Sequence, residues 1–139
     1  MAQTYTYFIL ILLAWGLWGF FGKYALKFVG PISLILFETI GAIIFQLIVL
    51  IFLFYSKNKF DANASGISLI MLAAFFGVIG STLFFFTLSK TKASVLVPLT
   101  SIYPVVTVLL SFVFLKEKVT LAQGIGIVFA VAASILLSI

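Results

Sequence analysis

The stretch Pro31–Tyr55 reads PISLILFETIGAIIFQLIVLIFLFY and carries one charged residue, Glu38. An α-helix needs about 20 apolar residues to cross the hydrocarbon core of a bilayer, and this run exceeds that length. Open strands and irregular backbone are excluded from lipid because their amide groups would lack hydrogen-bond partners. The stretch therefore predicts a transmembrane helix.

Four further apolar runs accompany this one along the chain. The five predicted spans cover about residues 5–22, 31–55, 67–88, 93–115 and 121–138. The last three are joined by connections of a few residues, so we expect them to be antiparallel neighbours. Thr120 and Gln123 have the spacing of a capping box, which predicts that the fifth span begins there. We therefore predict an all-α membrane protein with one transmembrane domain over residues 1–139.

Composition supports this fold class and narrows the function. Hydrophobic residues make up 65% of the chain and charged residues only 8%, whereas about 25% charged residues is usual in soluble domains. The chain has no cysteine and no histidine, which removes the thiolate and the commonest metal ligand and proton shuttle. These features exclude a soluble enzyme or binding module, and we expect neither enzyme activity, nor a cofactor, nor a metal site.

The eight lysines fall in pairs at the ends of the apolar runs. The pairs are Lys23 with Lys27, Lys57 with Lys59, Lys90 with Lys92, and Lys116 with Lys118. Lysines in such places anchor a span in the headgroup region, so we expect no nucleic-acid partner. Successive pairs lie on opposite sides of the membrane, so each side carries four lysines. With this four-to-four balance, the positive-inside rule predicts no preferred orientation. Either one orientation is fixed by other means, or copies insert both ways round, which would permit an antiparallel homodimer.

Glu38 is the one ionisable residue well inside a predicted span. It lies about two helical turns, or about 10 Å, from the start of that span. A carboxylate in hydrocarbon is costly and usually marks a path for an ion, a proton or a substrate. A structural role, in which the carboxyl group packs helices together or reaches the headgroups, is the alternative.

The fourth span carries a stripe of hydroxyl groups on one helical face. Thr100, Tyr103, Thr107 and Ser111 are spaced by three or four residues. Pro98 and Pro104 interrupt the backbone hydrogen bonds of the same span. Broken helices near the midplane often line transport sites, so the stripe is a candidate pathway. Alternatively, the hydroxyls only satisfy carbonyl groups that the prolines leave unpaired.

Small residues recur every four positions in the fifth span, and a shorter series occurs in the third. The two series contain Ala122, Gly126, Ala130, Ser134 and Ser138, and Ala73, Gly77 and Ser81, respectively. Such ridges permit close helix packing in lipid, either within one subunit or between two. In the first span, Trp15 and Trp18 alternate with glycines and serve either as interfacial anchors or as part of the solute pathway.

The chain resembles a single repeat of the EamA type, within the drug/metabolite transporter superfamily. The similar stretches are residues 15–23, 88–94, 103–107 and 116–124. Members commonly consist of two inverted five-span repeats that export metabolites, so the resemblance implies that a five-span chain works as a dimer. It also implies that spans 1, 3 and 4 face the cavity. Related small multidrug-resistance proteins have a membrane-embedded glutamate where this chain has Trp15. Glu38 is particular to this chain and does not belong to the family pattern.

From these observations we predict a secondary transporter in the inner (cytoplasmic) membrane. It would export a small organic metabolite by alternating access, as an antiparallel homodimer of inverted repeat units. The candidate pathway residues are Glu38, Trp15, Trp18, Thr100, Tyr103, Thr107 and Ser111. One alternative is a proton-coupled drug-cation antiporter, and another is a passive channel of dual topology for small solutes or ions.

Overall fold

The computed structural model describes residues 2–56, 60–61 and 63–139, and these residues form a series of helices. The helices are α1 (Ala2–Ala25), α2 (Pro31–Tyr55), α3 (Ala64–Lys90), α4 (Ala93–Thr100), α5 (Tyr103–Leu110), a π-helical segment (Ser111–Leu115) and α6 (Leu121–Ser138). The predicted lysine pair Lys57 and Lys59 lies outside the described residues.

Four stretches of the described chain are long and apolar enough to cross a membrane. They are Thr4–Ala25, Pro31–Tyr55, Ala64–Lys90 and Ala93–Leu115, and a shorter apolar helix covers Leu121–Leu137. The prediction of an all-helical, multi-pass membrane protein is confirmed in this form. The shorter helix lies where the fifth span is predicted.

The helix ends follow local hydrogen bonding more closely than they follow hydrophobicity. Helix α3 begins at Ala64 because the Asn63 side chain accepts a hydrogen bond from the backbone N–H of Gly66 at 2.8 Å. At α6, the predicted capping box is confirmed. The backbone N–H of Gln123 donates to the Thr120 hydroxyl at 3.3 Å, and the backbone N–H of Thr120 donates to Gln123 Oε1 at 2.8 Å.

The chain divides into two compact units, Met1–Ser89 and Lys90–Ile139, which are considered separately below. In the first unit, Phe85 and Leu88 near the end of α3 are 1% and 0% exposed. A Cβ atom built on Gly22 of α1 would overlap the Phe85 ring, so only glycine permits this approach of α1 to α3. The Lys23 ammonium group donates to the backbone carbonyl of Leu88 at 2.8 Å, which satisfies a carbonyl in the last turn of α3.

In the second unit, α4 packs against α6. Leu96 of α4 and Ser134 of α6 are both 8% exposed. The Ser134 hydroxyl donates to the carbonyl of Ala130 in its own helix at 2.9 Å, so this buried polar group is satisfied. One small residue of the predicted α6 ridge is therefore buried.

Candidate functional site

Glu38 and Trp18 lie side by side in the first unit. The indole N–H of Trp18 on α1 donates to Glu38 Oε1 on α2, with a nitrogen–oxygen distance of 3.3 Å. Glu38 is half-buried, so neighbouring residues cover part of its side chain. The structure thus joins two of the predicted pathway residues, from two different spans.

Aromatic side chains of α3 hold Trp18 in place. Its ring stacks on Phe84 with 4.9 Å between ring centroids and meets Phe85 edge-on at 4.7 Å. Aromatic pairs in these geometries stabilise by about 0.5–1.5 kcal/mol each beyond the area they bury. Because Phe85 packs closely against Gly22, these ring contacts restrict the orientation of the indole, whose N–H points to Glu38.

Glu38 lies at one end of a groove of about 540 Å³ between α2 and α3. Residues of one face of α2 form most of its wall, and three residues of α3 complete it. The lining residues are Glu38, Thr39, Ala42, Ile43, Gln46, Leu47, Val49, Leu50, Leu53, Val78, Ser81 and Thr82. From Glu38 to Leu53 the groove extends about 22 Å, at 1.5 Å of rise per residue.

The groove combines an apolar wall with a few polar groups. Of the described residues that line it, Glu38 alone carries a charge, and Gln46, Ser81 and Thr82 supply amide and hydroxyl groups. The volume lies within the range of small-molecule sites, about 300–1,000 Å³. The described residues contain no group of three or more histidine, cysteine or acidic side chains that could hold a metal ion. This chemistry suits binding of an organic solute.

The hydroxyl stripe of the fourth span lies in the second unit, on a broken helix. The break falls at Ser101 and Ile102, between Pro98 and Pro104. The Thr100 hydroxyl donates to the carbonyl of Leu96 at 2.9 Å. This hydroxyl is therefore bonded to its own helix, at a carbonyl other than those of Ser94 and Thr100, which Pro98 and Pro104 leave without a backbone donor.

The other members of the stripe have different surroundings. Tyr103 is 54% exposed at the start of α5, and Thr107 is exposed one turn later. Ser111 begins the π-helical segment, and its carbonyl accepts from the backbone N–H of Glu117 at 3.3 Å. Lys116 follows this segment with a backbone φ of 56°, in the left-handed region that residues other than glycine rarely adopt.

The predicted packing residues are more open than Ser134. Gly126 and Ala130 of α6 are exposed, as is Gly77 of α3. No atom of the described chain lies within 4 Å of a Cβ position built on Gly126 or Gly77, outside their own helix. Ser81 differs from this group because it lines the groove. Trp15 is 60% exposed on α1.

Sequence reasoning missed several residues of the groove and of the aromatic contacts around Trp18. Gln46 lies eight positions after Glu38, which is two helical turns along the same face of α2. That spacing is a signal that could have identified it. Thr82 and the aromatic residues Phe84 and Phe85 gave no comparable signal, because their role depends on how α3 packs against α1 and α2.

Comparison with known proteins places these features in context. Residues 3–139 match the model of the EamA-like transporter family. An uncharacterized protein of Methanocaldococcus jannaschii is 37% identical over 131 residues, which cover 94% of this chain and 93% of the relative. No solved structure matches the chain significantly.

Proposed function

Because the chain belongs to the EamA-like transporter family, whose members are membrane transporters and not enzymes, we propose that it is a secondary transporter that exports a small organic metabolite. The groove that begins at Glu38 carries this proposal. It lies between two membrane-spanning helices, has the volume of a small-molecule site and has one charged group at its end. A solute could lie along this groove in contact with both helices.

The proposed working unit is an antiparallel homodimer in the inner membrane, with alternating access of the site to the two sides. The four-to-four lysine balance supports insertion in both orientations. The exposed small residues Gly126 and Ala130 support a contact with a second copy, since small residues allow close approach of helices in lipid. Two five-span units of opposite orientation would form an inverted repeat.

A transport assay tests the proposal in two steps. A thermal-shift screen of purified protein against metabolites and drugs identifies a ligand, since binding to the folded state alone raises stability by about 2.7 kcal/mol at a concentration of 100 Kd. The identified ligand is then used for counterflow in liposomes. Saturable accumulation of labelled solute against its gradient would support a carrier, and fast unsaturable flux would show a channel instead.

Glu38 provides the test of proton coupling, the narrower alternative. Acidification neutralises a carboxylate, whereas glutamine has a similar shape and no charge to lose. Wild-type transport should therefore change with pH, and Glu38→Gln should fold normally but lose this pH dependence. Glu38→Asp should keep partial activity with a shifted profile. Normal, pH-dependent transport by Glu38→Gln would assign Glu38 a structural role, and Tyr103→Phe would be the next variant to test.

A further inference from the structure

We infer that the groove binds an amphiphilic organic monocation, with the cationic end at Glu38 and an alkyl or aryl tail along α2. This inference rests on the proposed function, because it specifies the solute class of the same site. The occupant is a free solute with an ammonium-type head. A lipid with an ammonium headgroup shares that chemistry, and the experiment below distinguishes the two sources.

The charge of the groove selects the head of this ligand. Glu38 is the one charged residue among the described residues of the lining, so a bound cation meets a negative charge and no competing positive one there. Neither Lys23 nor Lys27 lines the groove. The Lys23 ammonium donates to the Leu88 carbonyl at 2.8 Å, and the Lys27 ammonium lies over the Tyr24 ring at 5.1 Å from its centroid. A single carboxylate balances one positive charge, which favours a monocation over a dication.

The Trp18 indole gives the carboxylate a neutral partner that a cation can replace. A hydrogen bond from a neutral N–H is weaker than the interaction of a carboxylate with a cation at close range. Trp18 therefore orients Glu38 Oε1, at 3.3 Å, without neutralising it. A cation that reaches Glu38 would weaken or displace this hydrogen bond and change the environment of the indole ring.

The shape of the groove selects the tail. Beyond Glu38 the wall consists mainly of aliphatic side chains, including Ile43, Leu47, Leu50 and Leu53. Transfer of a tail from water to this apolar wall contributes about 0.8 kcal/mol for each methylene group, so, for a ligand taken up from water, affinity should increase with tail length. Ala42 lies one turn beyond Glu38, where a larger side chain would obstruct the tail but not the head.

The test is equilibrium binding in nanodiscs of digalactosyldiacylglycerol, an uncharged lipid without an ammonium group. The probes are hexyltrimethylammonium, tetramethylammonium, hexanol and hexanesulfonate, with partitioning into empty nanodiscs subtracted. We expect saturable binding of hexyltrimethylammonium, weaker binding of tetramethylammonium, and no saturable binding of the sulfonate. Equal binding of the sulfonate and the cation would overturn the inference.

Variants separate the head from the tail. Glu38→Gln should weaken hexyltrimethylammonium binding by about tenfold or more, since a charge-assisted contact is lost, and Glu38→Asp should restore part of it. Ala42→Leu should weaken binding of hexyltrimethylammonium but not of tetramethylammonium. Ala74→Leu on α3, which is outside the groove lining, is the matched control and should change neither. Unchanged binding in Glu38→Gln, or equal effects at Ala42 and Ala74, would refute the proposed placement.

Tryptophan emission reports the position of the head directly. Hexyltrimethylammonium should change the emission of the wild type, whereas Trp18→Phe, which retains Trp15, should lose the response. An equal response in both proteins would refute placement beside Trp18. Repeating the titration in phosphatidylethanolamine nanodiscs tests the lipid source. Equal affinity in the two lipids supports a free solute, and much weaker binding among ammonium headgroups would overturn it in favour of lipid.

The counterflow and binding experiments test the two proposals independently. Saturable, Glu38-dependent binding without counterflow would sustain this inference and contradict the carrier function. Counterflow of another solute without cation binding would contradict only the inference.

Discussion

Replacing Gly22 with alanine tests whether α1 and α3 meet at a fixed, close-packed point. A Cβ atom on Gly22 would overlap the Phe85 ring. That ring is 1% exposed and has Trp18 and Phe84 as aromatic neighbours, so it has little room to move away. We therefore expect Gly22→Ala to destabilise the first unit.

A control on the same helix isolates this contact. Gly16 of α1 has no atom of the described chain within 4 Å of a built Cβ position, outside its own helix. Both substitutions should gain about 0.5–1 kcal/mol of helix stability because alanine restricts the unfolded chain. Only Gly22→Ala should also incur an overpacking cost of about 1–3 kcal/mol. The two variants should therefore differ by about 1–3 kcal/mol, or about 5- to 150-fold in unfolding equilibrium constant.

The measurement is reversible unfolding by sodium dodecyl sulfate in mixed micelles, followed by tryptophan emission. Phe85→Leu provides a second step, since a smaller side chain should tolerate alanine at position 22. In a double-mutant cycle, the pair should show a coupling energy within the range of about 0.5–3 kcal/mol found for residues in contact. Equal stability of Gly16→Ala and Gly22→Ala, together with no coupling to Phe85, would refute the close approach.

Three further predictions concern the dimer, the topology and the end of the π-helical segment. Gly126→Leu should weaken dimerisation measured by cross-linking, because a large side chain separates helices, whereas Val128→Leu should not; equal effects would remove the small-residue contact. Val29→Lys combined with Thr91→Lys should shift a mixed population of C-terminal reporters to one side of the membrane, and a single reporter location in the wild type would rule out dual topology. Lys116→Gly should raise stability by about 1 kcal/mol relative to Lys118→Gly, which removes the same charge, because Lys116 has φ at 56°; no difference in unfolding midpoint would contradict this.

The sequence was sufficient to predict the helices and to single out Glu38 as a candidate residue, but not the surroundings of Glu38. Apolar runs identify spans because lipid leaves few alternatives to a helix. A single carboxylate within an apolar run is also easy to identify, because charged residues are rare there. The contact of Trp18 with Glu38, however, depends on the rotation of α1 and α2 about their axes, which two residues 20 positions apart do not determine.

The difference between local sequence signals and contacts between helices also explains which parts of the groove and of the helix ends could be predicted. Gln46 could be placed on the face of Glu38 by helical periodicity alone, whereas Ser81 and Thr82 reach the groove through the packing of α3. The early start of α3 arises from the Asn63 cap, a polar signal that hydrophobicity does not contain. Local chemistry therefore predicts each helix, and the site depends on contacts between helices.

The broken helix of the fourth span has a consequence for bending within a membrane. Thr100 and Ser101 donate their hydroxyl groups to carbonyls of the preceding turn, including Val97 at 3.1 and 2.7 Å, respectively. Both bonds join residues that precede Ile102, so a change of angle at Ile102 would not require them to open. Lipid offers no substitute partner for a carbonyl that loses its donor. The Val97 carbonyl also accepts from the backbone N–H of Ser101 at 3.0 Å, so it would keep its partners if the two halves of the span changed their relative angle.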